Sequence, residues 1–124
     1  MHIIINNSSM VPIYEQIMNQ IKTAIMNGEL IEDTMLPSVR ALSKELKISA
    51  LTVKKAYDNL EQEGFTVTIH GKGTFVAATN KDFQKEEFQK EVETDLENAI
   101  IKGRKYGLSN EEIRELFELI MEES

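Results

Sequence analysis

The chain has 124 residues, 41% of them apolar and 28% charged, with a formal net charge of −7 and no cysteine. That is about one domain with enough apolar content for a core, and the acidic total excludes a general nucleic-acid coat. The absence of cysteine excludes disulfides and thiolate chemistry, as suits a reducing cytoplasm. The opening MHIIINNSSM lacks the basic region and apolar run of a signal peptide, and no stretch approaches the roughly 20 apolar residues of a membrane span.

In chain order, PIYEQIMNQIKTAIMNG predicts an amphipathic helix. Ile13, Ile17, Ile21 and Ile25 recur at spacing four, Pro12 suits the first turn and Gly28 a left-handed cap. GELIEDTMLPS is a connector. SVRALSKEL is a short helix with Ser38 as N-cap and Val39, Leu42 and Leu46 on its buried side. Ser49 caps a third helix that runs to Glu63 and stops at Gly64. Val53, Ala56, Tyr57 and Leu60 form its core face, and Tyr14 and Tyr57 are expected in the core or at its edge. FTVTIH then changes to period two, with Phe65, Val67 and Ile69 on one face and Thr66, Thr68 and His70 on the other. GKG is a tight turn and TFVA the returning strand.

A domain boundary is expected near Thr79–Lys81, giving residues 1–79 and 80–124. In the second part Phe88, Val92, Leu96 and Ile100 form a spacing-four stripe joined by Ala99. KGRKYG (residues 102–107) reads as a loop and a solvated turn. Ser109 and Glu112 have capping-box spacing, and Ile113, Leu116, Phe117 and Ile120 form the last apolar face. Two helices of this length cannot bury two such faces without a partner surface. A homodimer is therefore expected, with Phe88, Val92, Leu96, Ile100, Leu116, Phe117 and Ile120 in its interface.

The charge is unevenly placed. Residues 1–80 carry 7 basic and 8 acidic side chains, and residues 81–124 carry 7 and 13. Between residues 36 and 57, Arg40, Lys44, Lys47, Lys54 and Lys55 face Glu45 alone. Two short helices joined by a tight turn, the second basic and followed by a hairpin, have the layout of a winged helix-turn-helix. A helix fits the major groove with its N-terminal end nearest the base edges. Small hydroxyls there let the backbone approach, and cations neutralise phosphates. Concentrating Ser49, Thr52, Lys54 and Lys55 at one helix end supplies that chemistry locally in an acidic chain.

PIYEQIMNQIKTAIMNGEL, LPSVRALSKELKIS, TVKKAYDNLEQEGF and HGKGTFVA together strongly resemble the GntR family of bacterial transcription regulators. The short tail is similar to that of the YtrA subfamily. The resemblance is dense over residues 10–78 and rests on length and pattern beyond them. It implies a mostly α fold with a small β-hairpin wing, an N-terminal winged helix-turn-helix and a C-terminal two-helix dimerisation unit. It implies DNA contacts from Ser38 and Arg40 on the second helix, Ser49, Thr52 and Lys54 on the recognition helix, and His70, Gly71 and Lys72 at a wing tip that reaches the minor groove. It also implies repression of the chain's own operon and of a neighbouring transporter operon, through double-stranded operator DNA of two-fold symmetry. An effector of unidentified chemistry would bind at the dimer interface or between domains.

Two places depart from the family pattern. Asp33 and Thr34 stand where a Gly-Asp pair is usual, so a slightly different turn is expected in an unchanged fold. Ser49-Ala50-Leu51-Thr52 stands where many YtrA-like chains have Asn-Pro-Asn-Thr. Leu51 points away from the core face and is either a tolerated surface residue or an apolar contact to a thymine methyl. Lys54 and Lys55 have the alternative of an ordinary solvated face, and Arg40 that of a pair with a nearby carboxylate.

No enzyme is expected. GKG lies between strands and opens no helix, so the phosphate-loop context is missing. Neither His2 nor His70 has neighbours at metal-ligand spacing, so no metal or cofactor is expected. The roughly 44 residues after the wing cannot enclose a ligand cavity of about 300–1,000 Å³. The alternative function is a winged-helix protein–protein module without DNA binding, whose recognition face would be acidic or apolar.

Overall fold

Ile17, Ile21 and Ile25, one helical turn apart, are buried and make one stripe of α1 (Ile13–Met26). The computed structural model, which describes residues 1–78 and 81–124, continues with α2 (Val39–Leu46), α3 (Ala50–Gln62), β1 (Thr66–Ile69), β2 (Gly73–Val76), α4 (Lys81–Lys105) and α5 (Asn110–Glu123). Two units result, Met1–Asn80 and Lys81–Ser124. The boundary expected between Thr79 and Asn80 lies outside the described residues.

In the first unit α1 packs on α3, whose Val53, Ala56, Tyr57 and Leu60 are buried, and α3 in turn packs on α2, whose Leu42 is buried. Complete burial of each isoleucine is worth about 1.5–3 kcal/mol over leaving it in water. Tyr57 brings a hydroxyl into this core and donates it to the Pro37 carbonyl at 2.7 Å. That bond ties α3 to the residue just before the Ser38 cap. Burial, and then the Glu45 carboxylate, push the Tyr57 hydroxyl well above its ordinary pKa.

The ends of α2, α3 and α4 follow one geometry. After α3, Gly64 takes φ +85° and its N–H donates to Glu61 O at 3.0 Å, while Phe65 N–H reaches Leu60 O at 2.9 Å. After α4, Gly107 (φ +91°) donates to Arg104 O and Leu108 N–H to Gly103 O. Both are Schellman caps, in which glycine carries the left-handed residue at no steric cost. The α2 end makes the corresponding bond from Ile48 N–H to Ser43 O at 3.0 Å, yet its left-handed residue is Lys47, at φ +57°.

The α4 end corrects one expectation. Lys102–Lys105 are helical, and the loop expected at KGRKYG is confined to its last residues, Tyr106 and Gly107. Gly103 does not break the helix, because its missing side chain is where Ile113 of α5 fits. A Cβ there would stand 3.0 Å from Ile113 Cδ1. At the start of α5, Ser109 and Glu112 form the expected capping box at 2.9 and 3.1 Å. The Ser109 backbone N–H holds the Glu112 carboxyl below its ordinary pKa, helped by the Ser109 side chain.

In the hairpin Thr66 and Val76, paired across the strands, are buried at its base, and Val67, Thr68 and Ile69 are exposed. Each strand has four residues, and beyond the first pair the hairpin projects from the core. The connector lies along the other edge of β2. Asp33 N–H donates to Val76 O, Val76 N–H to Thr34 O and Leu36 N–H to Thr74 O, at 2.8–2.9 Å. Asp33 takes φ +68°, a conformation aspartate tolerates better than most residues. It therefore fills the place of the family's glycine without loss of the turn.

The N-terminal arm lies extended on α1. The Gln20 amide accepts from Ile4 N–H at 2.9 Å and donates to Ile4 O at 2.7 Å. One turn earlier the Gln16 amide makes the same pair with Asn6, at 2.8 and 3.0 Å, and also donates to Val11 O. Ile3 is buried beside them.

Candidate nucleic-acid interface

Two serine caps set up the two helix fronts. Ser38 Oγ accepts from Ala41 N–H at 3.0 Å, and Ser49 Oγ accepts from Leu51 N–H at 3.1 Å. Each satisfies one orphan donor of its helix start and, among the described residues, keeps its own O–H unengaged. Both side chains are exposed, so each helix presents a hydroxyl donor beside the positive end of its dipole. The turn between the helices is Lys47-Ile48-Ser49.

Arg40, one residue into α2, is exposed and makes no ion pair among the described residues. The carboxylate partner weighed from the sequence is not there. At the front of α3, Leu51 is 77% exposed and Thr52 half-buried. Lys54 pairs with Asp58, one turn on, at 2.7 Å. Both groups are exposed, and such a pair is worth only about 0.3–0.5 kcal/mol, so a phosphate competes for Lys54 easily. Lys55 sits with Nζ 4.0 Å from the centroid of the Tyr14 ring, a cation–π contact that fixes its direction. Burial, followed by the adjacent Glu15 carboxylate, raises the Tyr14 hydroxyl. The Tyr14 contact was not legible in the sequence, whereas the i, i+4 spacing of Lys54 and Asp58 was a usable signal.

At the hairpin tip, Lys72 N–H donates to Ile69 O at 2.9 Å, and Gly71 takes φ +79°, which a side chain at that position would resist. His70, Gly71 and Lys72 are exposed. They line an open cleft of about 650 Å³ with Pro37, Ser38 and Val39. The connector strand bonded to β2 fixes both walls of that cleft. Ser38, His70, Gly71 and Lys72 are thus brought together, while Ser49, Leu51, Thr52, Lys54 and Lys55 share the neighbouring surface at the front of α3.

In the second unit Val92, Leu96, Leu116, Phe117 and Ile120 are exposed, and Phe88, Ile100 and Ile113 are half-buried. Ile101, Leu119 and Met121 are also exposed and were not anticipated. On α5, Leu119 and Met121 widen the apolar face well beyond the i, i+3, i+4 stripe. Among the described residues no cluster of His, Cys, Asp or Glu is arranged to hold a metal ion, and no helix is long and apolar enough to cross a membrane.

Comparison with known proteins places this geometry. Residues 13–76 match the family described as bacterial regulatory proteins, gntR family. The HTH-type transcriptional repressor NagR of Bacillus subtilis is 49% identical over 73 residues, which are 59% of this chain and 30% of NagR. The HTH-type transcriptional repressor YtrA of the same organism is 34% identical over 111 residues, covering 90% of this chain and 85% of YtrA. Among solved structures, a transcriptional antiterminator from Listeria monocytogenes superposes with a TM-score of 0.76 at 32% identity, over 98% of this chain and 90% of that one. The DNA-binding domain of AraR, in complex with operator ORX1, superposes with a TM-score of 0.55 at 28% identity, over 61% of this chain and 95% of that one.

Proposed function

The chain belongs to the gntR family of bacterial regulatory proteins, within its YtrA subfamily, and on that footing we propose that it is a dimeric, sequence-specific repressor acting in the cytoplasm on an operator of two-fold symmetry. The relatives that share its length and fold are transcription regulators, not enzymes. The observation that carries the proposal is the exposed front of α3. There an N-cap hydroxyl, Thr52 and Lys54 stand at one helix end, and α2, which packs on α3, carries Arg40 exposed and without an ion pair among the described residues. The complex of the structurally similar AraR domain with its operator supports a DNA-binding role for this unit. An acidic or apolar recognition face, which a protein-docking winged helix would need, is absent among the described residues of α3.

Ser38 and Arg40 take the phosphate backbone or base edges from α2. Ser49, Thr52 and Lys54 work at the front of α3, with Lys55 behind them, and His70, Gly71 and Lys72 enter the minor groove. The exposed apolar faces of α4 and α5 support a two-fold dimer, which sets two recognition helices about one turn of DNA apart. The targets proposed are the chain's own operon and a neighbouring transporter operon, with any small-molecule effector bound at the dimer interface or between domains.

The test is fluorescence anisotropy on the DNA upstream of the coding region, titrated over salt. Arg40→Ala should weaken binding and flatten the log K against log salt slope by up to about 2 if each subunit loses one phosphate contact. An unchanged slope and affinity would remove Arg40 from the interface. Binding no tighter than to competitor DNA would favour the protein-docking alternative. In sedimentation, the full chain should be a dimer at micromolar concentration and Phe117→Glu should shift it toward monomer.

A further inference from the structure

We infer that Leu51 reads a thymine 5-methyl group, so that the operator carries thymine at one fixed position in each half-site. The inference rests on the DNA-binding function proposed above and specifies what that site selects.

Leu51 is the second residue of α3 and is 77% exposed. Two residues before the fully buried Val53, it is turned about 200° from the core at roughly 100° per residue. Its neighbours on that outward face are Lys55, Asp58 and Gln62, all exposed. Leu51 is thus an isolated aliphatic group among polar ones, with Ala50 adding only a methyl. Such isolation is unlike the contiguous apolar patches that mark protein-docking surfaces. It contributes nothing to the core and lies where a groove-bound helix comes nearest the base edges.

The chemistry of the groove then narrows the choice. A leucine side chain neither donates nor accepts a hydrogen bond. Placed against the cytosine or adenine amino group it would strip water from a donor and return nothing. Thymine alone presents an apolar group on its major-groove edge. There both surfaces leave water together, and the contact costs no hydrogen bond. Lys54 and Lys55, three and four residues along, lie about one turn behind Leu51, where they can anchor phosphates and hold the helix tip against the bases.

The experiment is a binding-site selection from random duplex DNA with the full chain, Leu51→Ala and Leu51→Asn. Circular dichroism should confirm that both variants keep the fold, as expected for an exposed position. The wild-type chain should enrich one thymine per half-site that both variants no longer enrich. Replacing that thymine by deoxyuridine in the selected site should weaken wild-type binding about four-fold, the worth of one methyl-sized group leaving water. It should leave Leu51→Ala unaffected, and cytosine at that position should improve when methylated at C5 for the wild-type chain only. Identical selected motifs together with equal binding of thymine and deoxyuridine sites would overturn the inference while leaving the repressor function standing. If the wild-type chain enriches no sequence, the inference falls together with the function on which it rests.

Discussion

Replacing Lys47 by glycine should stabilise the N-terminal unit by about 1 kcal/mol. Lys47 holds φ +57° at the end of α2, the slot that Gly64 and Gly107 fill after α3 and α4. A residue with a Cβ loses about 1–2 kcal/mol in that conformation, and glycine's extra freedom in the unfolded chain returns about 0.5–1 kcal/mol of the gain. For a unit the size of Met1–Asn80, 1 kcal/mol corresponds to about 4–8 °C in Tm. Thermal melts followed by circular dichroism would measure it. Lys47→Ala separates backbone from charge, because it removes the ammonium and keeps the strain, so its Tm should hardly move. Gly64→Ala is the converse, since a Cβ there meets nothing within 4 Å and any loss is conformational. A Lys47→Gly protein no more stable than Lys47→Ala would refute the reasoning.

Tyr57→Phe should lower the urea midpoint at unchanged m-value by the worth of one hydrogen bond to Pro37, about 1 kcal/mol. The raised Tyr57 pKa adds a pH effect. Above about pH 10 the unfolded chain loses this proton and the folded chain keeps it, so stability should fall with rising pH, and Tyr57→Phe should remove that part of the slope. Among the described residues Thr66 Oγ1 is buried with no hydrogen-bond partner, so the near-isosteric Thr66→Val should raise Tm by the equivalent of about 1 kcal/mol. A lower Tm would show that the hydroxyl is satisfied in solution. Gly103→Ala should fail to give the usual helix-interior gain of about 1 kcal/mol, because its Cβ meets Ile113. Adding Ile113→Val, which removes the clashing Cδ1, should recover stability in the same melts.

Features with a local period were legible before the structure. The isoleucines of α1, the core face of α3, Gly64 and the Ser109–Glu112 box each follow from spacing and residue type, and they lie as expected. What escaped was decided by distant partners. Gly103 resembles a helix breaker until Ile113 is placed against it. Lys47 carries no mark of its left-handed backbone, since lysine seldom adopts one. Thr66 and Val67 alternate as a strand should, but which of them faces inward depends on how far the hairpin projects. At the candidate site, the basic island and the serine caps were visible in sequence. The lean of Lys55 onto Tyr14 was not, because a contact across 41 residues leaves no period.

The glutamine rungs of α1 have a consequence for sequence drift. Their spacing, four residues of helix or about 6 Å, matches two residues of extended chain at about 6.6 Å. The helix therefore stands in for a missing strand and grips peptide groups, not side chains. Position 4 can accept almost any residue and keep the same path, with proline the exception, since it brings no N–H; position 6 is less free, because Asn6 Oδ1 also accepts from Ser8 N–H at 3.0 Å. Tolerance is reversed on the helix. Glutamate at position 16 or 20 would keep the shape but lose the donor, and would set a carboxylate against the carbonyls of Asn6 or Ile4. At position 4 the arm is free to vary where it is held, and the residues that hold it are not.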